Sequence, residues 1–250
     1  MTVLLELKSV SRQFGGLNAV NDVSFQVSQG EILGLIGPNG AGKTTLINLI
    51  TGVHPATSGR ILFDGQDITK MRAHQIARKG LARTFQVVQP FPKMTVLENV
   101  ATGALFAGGA TGLKDAFAQA RQHLEFTGLG DSVDKLASTL TLAKRKRLEL
   151  AKGLAMRPRL LMLDEVNAGL NSMEIDDALR MIRTIAERGV TIIIIEHLMK
   201  VMLSTAQRIV ALHYGQMIAD GVPDAVLRNP RVIEAYLGSK YAAAHSGSSA

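Results

Sequence analysis

One stretch limits this chain more than any other: Gly37-Pro38-Asn39-Gly40-Ala41-Gly42-Lys43-Thr44-Thr45. It satisfies the spacing G-x-x-x-x-G-K-S/T without departure. Residues 31–36 before it form a largely apolar segment that reads as a buried strand, and residues 44–50 after it read as a helix. A strand that passes straight into a helix through glycines turns consecutive backbone N–H groups into one concavity. The helix N-terminus adds unpaired donors and partial positive charge. Such a turn suits a phosphate anion. The residues Gly37, Pro38, Asn39, Gly40, Ala41 and Gly42 would form the cradle, and Lys43 would reach the outer phosphates. Thr44 would offer Mg²⁺ a hard hydroxyl oxygen, with Thr45 a further phosphate donor. The chain therefore needs an α/β sheet around a nucleotide.

Size and composition agree with that. The 250 residues are 46% hydrophobic, enough for one large α/β core with a smaller attached lobe. Cysteine is absent, which excludes a disulfide framework and a thiolate zinc site. The opening MTVLLELKSV carries charges within its apolar stretch and does not read as a signal peptide. No apolar run approaches the roughly 20 residues that span a bilayer, so a membrane role is expected to be peripheral. The formal net charge of +7 allows contact with nucleic acid or anionic lipid. Only 4% of residues are aromatic and Trp is absent, so base-stacking platforms are poorly supplied and no nucleic acid partner is expected.

Along the chain, residues 4–10, 23–27, 31–36 and 60–63 read as strands. From about residue 95 to 155 helical periodicity takes over, broken at Ala107-Gly108-Gly109-Ala110-Thr111-Gly112. Strand–helix alternation then resumes, with strands at 160–163 and 190–195 and a helix at 174–188. Residues 208–212 and 216–219 can pair through a Tyr214-Gly215 turn. The alternation argues for a parallel sheet with right-handed crossovers. Residues 239–250 have the composition of a flexible tail.

Chemistry-bearing residues recur at strand ends, where open α/β sheets bind their ligands. Residues 160–163 lead into Asp164 and Glu165. Asp164 would hold Mg²⁺ through water, and Glu165 would take a proton from the attacking water or orient it. Residues 190–195 lead into Glu196 and His197, whose imidazole can hydrogen-bond a γ-phosphate or that water. Gln86 follows residues 81–85 and reads first as an ordinary loop glutamine, although its amide oxygen can also ligate Mg²⁺.

Together these residues resemble the ATP-binding subunit of ABC transporters. GPNGAGKTT resembles the family's Walker A motif and LLMLDE its Walker B motif with the catalytic glutamate. Gln86 stands at the Q-loop, His197 at the switch histidine, and Ala168-Gly169-Leu170-Asn171 at the D-loop. Phe14 stands where the family sets an aromatic ring against adenine, though it reads equally as a core residue. The resemblance runs from about residue 4 to 238. In FGGLNAVNDVSF, ARTFQ, DEVNAGLN and RNPRVIEAYLG it comes closest to the hydrophobic (branched-chain) amino-acid uptake branch.

The resemblance implies an α/β fold: a P-loop ABC ATPase core (1–86 and 156–238) with an N-terminal antiparallel β subdomain and an inserted helical subdomain (87–155). It implies ATP and Mg²⁺ as ligands. Its implied partners are two transmembrane permease subunits, a second ATPase subunit in a homodimer or heterodimer, and indirectly an external solute-binding protein. The chain would work at the cytoplasmic face of the bacterial inner membrane. A lipid or lipopolysaccharide exporter and a soluble ABC ATPase acting on nucleic acid are the alternatives.

One motif departs from the family pattern. Its signature, usually LSGGQ, contacts ATP held by the opposing subunit; here it is Leu140-Thr141-Leu142-Ala143-Lys144, with both glycines replaced. Thr141 keeps a hydroxyl, Ala143 can serve through its N–H unless its φ is strongly positive, and Lys144 brings a cation. The run Lys144-Arg145-Lys146-Arg147 reads also as the solvated face of a helix whose apolar side is Leu148, Ala151, Leu154 and Ala155. Asn171 and Val166 replace the commoner Asp and Pro.

Overall fold

The computed structural model describes residues 2–84, 88, 90–165, 167–196 and 198–237. The tail, Gln86, Val166 and His197 lie outside the described residues. The chain forms two compact units, Met1–Met71 with Ile193–Ala250, and Arg72–Ile192.

The first unit opens with two long strands, β1 (Val3–Phe14) and β2 (Leu17–Ser28), joined antiparallel at Gly15-Gly16. Both are longer than their alternation suggests. Ser9 and Asp22 take φ of 49° and 52°, and the ladder shifts register along β1. Such bulges break the period of two, and the strands look short in sequence. Next come β3 (Ile32–Ile36), buried at all five positions, and α1 (Lys43–Ile50). The short strands β4 (Ser58–Phe63) and β5 (Gln66–Asp67) complete an antiparallel sheet in the order β2-β1-β4-β5.

The second unit contains α2 (Ala73–Arg78), β6 (Leu81–Arg83), α3 (Val96–Phe106), α4 (Leu113–Phe126), α5 (Leu142–Ala155), β7 (Leu160–Asp164) and α6 (Ser172–Glu187). Strands β6 and β7 pair in parallel. Helices α3, α4 and α5 share a core in which Val96, Val100, Leu124 and Leu148 interleave with Ala104, Ala120 and Ala151. Small residues at these positions let the helices approach closely. Thr95 starts α3 with a capping box: its hydroxyl accepts from the Glu98 N–H and the Glu98 carboxylate accepts from the Thr95 N–H. Asn171 and Glu174 do the same for α6, which is why that helix starts at Ser172, two residues before its periodicity does.

Strand β8 (Thr191–Ile195) leads back into the first unit, followed by α7 (Met199–Thr205), β9 (Arg208–His213), β10 (Gln216–Gly221), α8 (Pro223–Leu227) and α9 (Pro230–Leu237). Strand β9 runs parallel to β3 and antiparallel to β10. Residues 193–195 of β8 flank β3 on its other side. Tyr214 and Gly215 both have positive φ, as a tight hairpin requires, and the pairing expected through them is present. The short helices α2, α7, α8 and α9 have too few turns to show a period in sequence. Among the described residues no helix is long and apolar enough to cross a membrane.

Candidate active site

The phosphate loop belongs wholly to the first unit. Strand β3 delivers the chain to Gly37, which takes φ +153°; a Cβ there would lie 2.3 Å from the Leu212 carbonyl oxygen. At Gly42, with φ +100°, a Cβ would lie 2.4 Å from the Ala19 oxygen. No other residue fits either position without moving backbone. Gly42 also caps α1 without a side chain, so the helix's first N–H groups keep their capacity for an anion. Lys43 is buried, and its ammonium donates to the carbonyls of Gly37 (2.6 Å) and Pro38 (3.0 Å). The cation is thus stored against its own loop. Asn39, Gly40 and Thr44 are exposed and Ala41 is buried, with Pro38, Gly42 and Thr45 in between.

The loop is tied down from outside as well. The Gly215 N–H donates to the Ala41 carbonyl (3.0 Å), and the Gly37 N–H donates to the Tyr236 hydroxyl (2.7 Å). Phe14 is 41% exposed, which excludes a core role. The Arg12 guanidinium lies 4.5 Å over its ring, and His54 meets it edge-on at 5.8 Å. Strand β8 leads into a buried Glu196.

The two carboxylates belong to the second unit. Strand β7 is buried throughout and ends at Asp164. Arg83, on the neighbouring strand β6, donates to the Asp164 carboxylate at 2.8 Å, with 9% and 4% of the two side chains exposed. The Thr84 hydroxyl accepts the Asp164 N–H at 3.2 Å. Glu165 turns out of the strand with φ 49°. Its carbonyl accepts the Lys146 ammonium at 3.0 Å and the Ala168 N–H at 3.2 Å.

The signature stretch forms the start of α5, also in the second unit. Thr141 is the N-cap, its hydroxyl accepting from the Lys144 N–H at 3.4 Å. Ala143 is helical and lies outside the residues of positive φ, so the condition set for its N–H is met. Lys144 bonds Asp131 (3.2 Å) and Ser132 (3.1 Å), and its ammonium holds the Asp131 carboxyl below the usual range. The apolar side expected of this helix is buried at Leu148, Ala151, Leu154 and Ala155. The cationic side is not simply solvated. Arg145 donates to the Ser138 carbonyl, Lys146 to Glu165, and Arg147 to the Asp177 carboxylate.

Sequence spacing does not single out Arg83, Thr84 or Tyr236, because their partners lie far along the chain. A basic residue before Thr84 and the Lys-Arg run were visible; what they bind was not.

The family model described as "ABC transporter" matches residues 20–168, and one described as "Branched-chain amino acid ATP-binding cassette transporter" matches residues 216–242. The chain belongs to the ABC transporter family as an ATP-binding cassette, the subunit whose ATP hydrolysis is coupled to transport. It is 41% identical over 249 residues to the high-affinity branched-chain amino acid transport ATP-binding protein BraF of Pseudomonas aeruginosa, covering 94% of this chain and 98% of that protein. It is 39% identical over 251 residues to LivG of Escherichia coli K12, of the same description, covering 94% and 98%. Within the family it therefore stands among the branched-chain amino acid transport ATP-binding proteins. Its fold matches the ADP conformation of MJ1267, an ATP-binding cassette of an ABC transporter, with TM-score 0.86 and 32% identity over 96% of this chain and 100% of that one.

Proposed function

We propose that the chain powers an importer of branched-chain or other hydrophobic amino acids from the cytoplasmic face of the bacterial inner membrane. The observation that carries this reading is the match of residues 216–242 to the branched-chain cassettes. Two transmembrane permease subunits, a second ATPase subunit and, indirectly, an external solute-binding protein complete the assembly. The altered signature favours a heterodimer with a related ATPase over a homodimer.

In turnover, the phosphates draw Lys43 from the Gly37 and Pro38 carbonyls, and the N–H groups of residues 40–45 surround them. Phe14 stacks on adenine. Glu165 takes a proton from the attacking water or orients it, and His197 hydrogen-bonds the γ-phosphate or that water. Thr141, Ala143 and Lys144 contact the ATP of the opposing subunit. These groups act by position and charge, as phosphoryl transfer demands. ATP closes the dimer because it binds the closed state better than the open one, and hydrolysis reverses the shift.

Mg²⁺ fits the donors present. Among the described residues no group of three or more His, Cys, Asp or Glu forms a cage for a metal. Hydroxyl and carboxylate oxygens are the hard donors Mg²⁺ takes when phosphates supply the rest of its ligands. Thr44 and Gln86 would hold it directly. Asp164, already paired with Arg83, would do so through water. When bound, the ion would offset charge on the phosphate oxygens.

Two experiments test the reading. Glu165→Gln should bind ATP but hydrolyse it about a hundredfold more slowly, in the range for a lost general base; undiminished turnover would remove Glu165 from the mechanism. Affinity purification from gently solubilised native membranes should bring down two multi-span subunits and a second ATPase. Recovery of soluble or ribosomal proteins alone would overturn the transport role.

A further inference from the structure

The C-terminal segment of the first unit grips the phosphate loop at both ends. At the far end, Gly215 of the β9–β10 turn donates to the Ala41 carbonyl at 3.0 Å, and its own carbonyl accepts the Asn21 N–H at 2.8 Å. At the near end, the Leu212 carbonyl oxygen lies 2.3 Å from where a Gly37 Cβ would stand. The Tyr236 hydroxyl, from α9, accepts the Gly37 N–H at 2.7 Å across 199 residues of sequence. Gly37 is buried. Without Tyr236 its N–H would be a buried donor lacking that acceptor, a costly arrangement.

The two sides of Gly37 are held differently. Its carbonyl is held by the Lys43 ammonium at 2.6 Å, and its N–H by Tyr236. A phosphate that recruits Lys43 removes the first hold and leaves the second. We propose that Tyr236 is a positioning residue of the ATP site: through Gly37 it keeps the phosphate loop in its binding shape when Lys43 turns to the nucleotide. Tyr236 acts through the backbone and touches no phosphate. Burial raises the phenol's pKa, so the hydroxyl stays neutral over the working pH range. The inference rests on the phosphate-loop reading above. It gives α9 a task in nucleotide binding, within the segment that matches the branched-chain cassettes.

Because the loop is wanted equally in the ground state and the transition state, its loss of shape is a loss of uniform binding. Tyr236→Phe should therefore raise the KM for ATP and the Kd for ADP about three- to tenfold, the scale of one net hydrogen bond, and change kcat by less than about twofold. Phenylalanine keeps the ring, so the fold should survive; the melting temperature checks this. The decisive readout is hydrogen exchange. In the full-length wild-type chain, saturating ADP with Mg²⁺ should slow exchange at the Gly37 amide and in α9. In Tyr236→Phe the Gly37 amide should exchange at least about tenfold faster than in wild type. Equal ADP affinity and equal Gly37 exchange in the two proteins overturn the role of Tyr236 and leave the ATP site standing. Failure of the wild-type chain to bind ADP overturns both.

Discussion

The phosphate loop and the signature turn each lead into the first turn of a helix, yet different atoms hold them. The loop is a backbone device. Gly37 and Gly42 adopt conformations a side chain would block, and the lysine is stored on carbonyl oxygens of the loop itself. The signature turn is a side-chain device. Thr141 caps the helix, Arg145 reaches back to the Ser138 carbonyl, and Lys144, Lys146 and Arg147 each reach a partner more distant in the chain. A backbone device tolerates almost no substitution where its shape is tightest. A side-chain device spreads its cost over many weak contacts, so this chain can lose both signature glycines and still begin α5 in order.

The sharpest test of that contrast is at glycine. Gly37→Ala meets the Leu212 carbonyl and should lower ATP affinity about a hundredfold through displaced backbone. Gly40→Ala enters open space at φ +79° and should cost only about 1–2 kcal/mol of local strain. Equal losses in a nucleotide titration would mean that conformation, not close approach, sets the loop's intolerance. Next in size is Arg83→Met, which leaves the Asp164 carboxylate buried without its guanidinium. Chemical denaturation should show a loss of about 3 kcal/mol, and a loss below about 1 kcal/mol would show the pair to be expendable. Thr141→Ala removes a cap whose bond is long, and should cost about 0.5–1 kcal/mol in the same assay. A cost as large as that of Arg83→Met would break the picture of a turn held by many weak contacts.

The smallest effect belongs to the helical region behind the signature. Burial pushes His123 below its ordinary value of 6.5, and Arg157 and Arg188 add to the same shift. The unfolded chain then takes up the proton first. The stability involved is present above about pH 6.5 and is lost as pH falls from there toward the lowered native value. The melting temperature of His123→Gln should decline less than that of wild type between about pH 7 and pH 5. Parallel declines would show that His123 is not charged on unfolding.

How far each feature could be read from the sequence follows from the distance over which it is enforced. The loop was legible because its requirement is local: glycines and a lysine at fixed spacing between an apolar strand and a helix. The hairpin at Tyr214-Gly215 and the helical run of 95–155 were legible for the same reason, through turn chemistry and periodicity. Strands β1 and β2 were legible only in part, because the bulges near Ser9 and Asp22 interrupt the alternation. The α6 boundary depended on a cap at Asn171 that a periodic pattern does not register.

What the sequence by itself determined is therefore the α/β class, the phosphate loop and the strand ends that carry Asp164 and Glu165. Only the tertiary structure decided what holds them. Arg83 meets Asp164 across 81 residues, Lys146 meets Glu165 across 19, and Tyr236 meets Gly37 across 199. It also decided that Phe14 is exposed beside Arg12 rather than buried. The physical reason is the same in each case. Steric rules and hydrophobic periods act between near neighbours in the chain, whereas a hydrogen bond or ion pair needs only proximity in space.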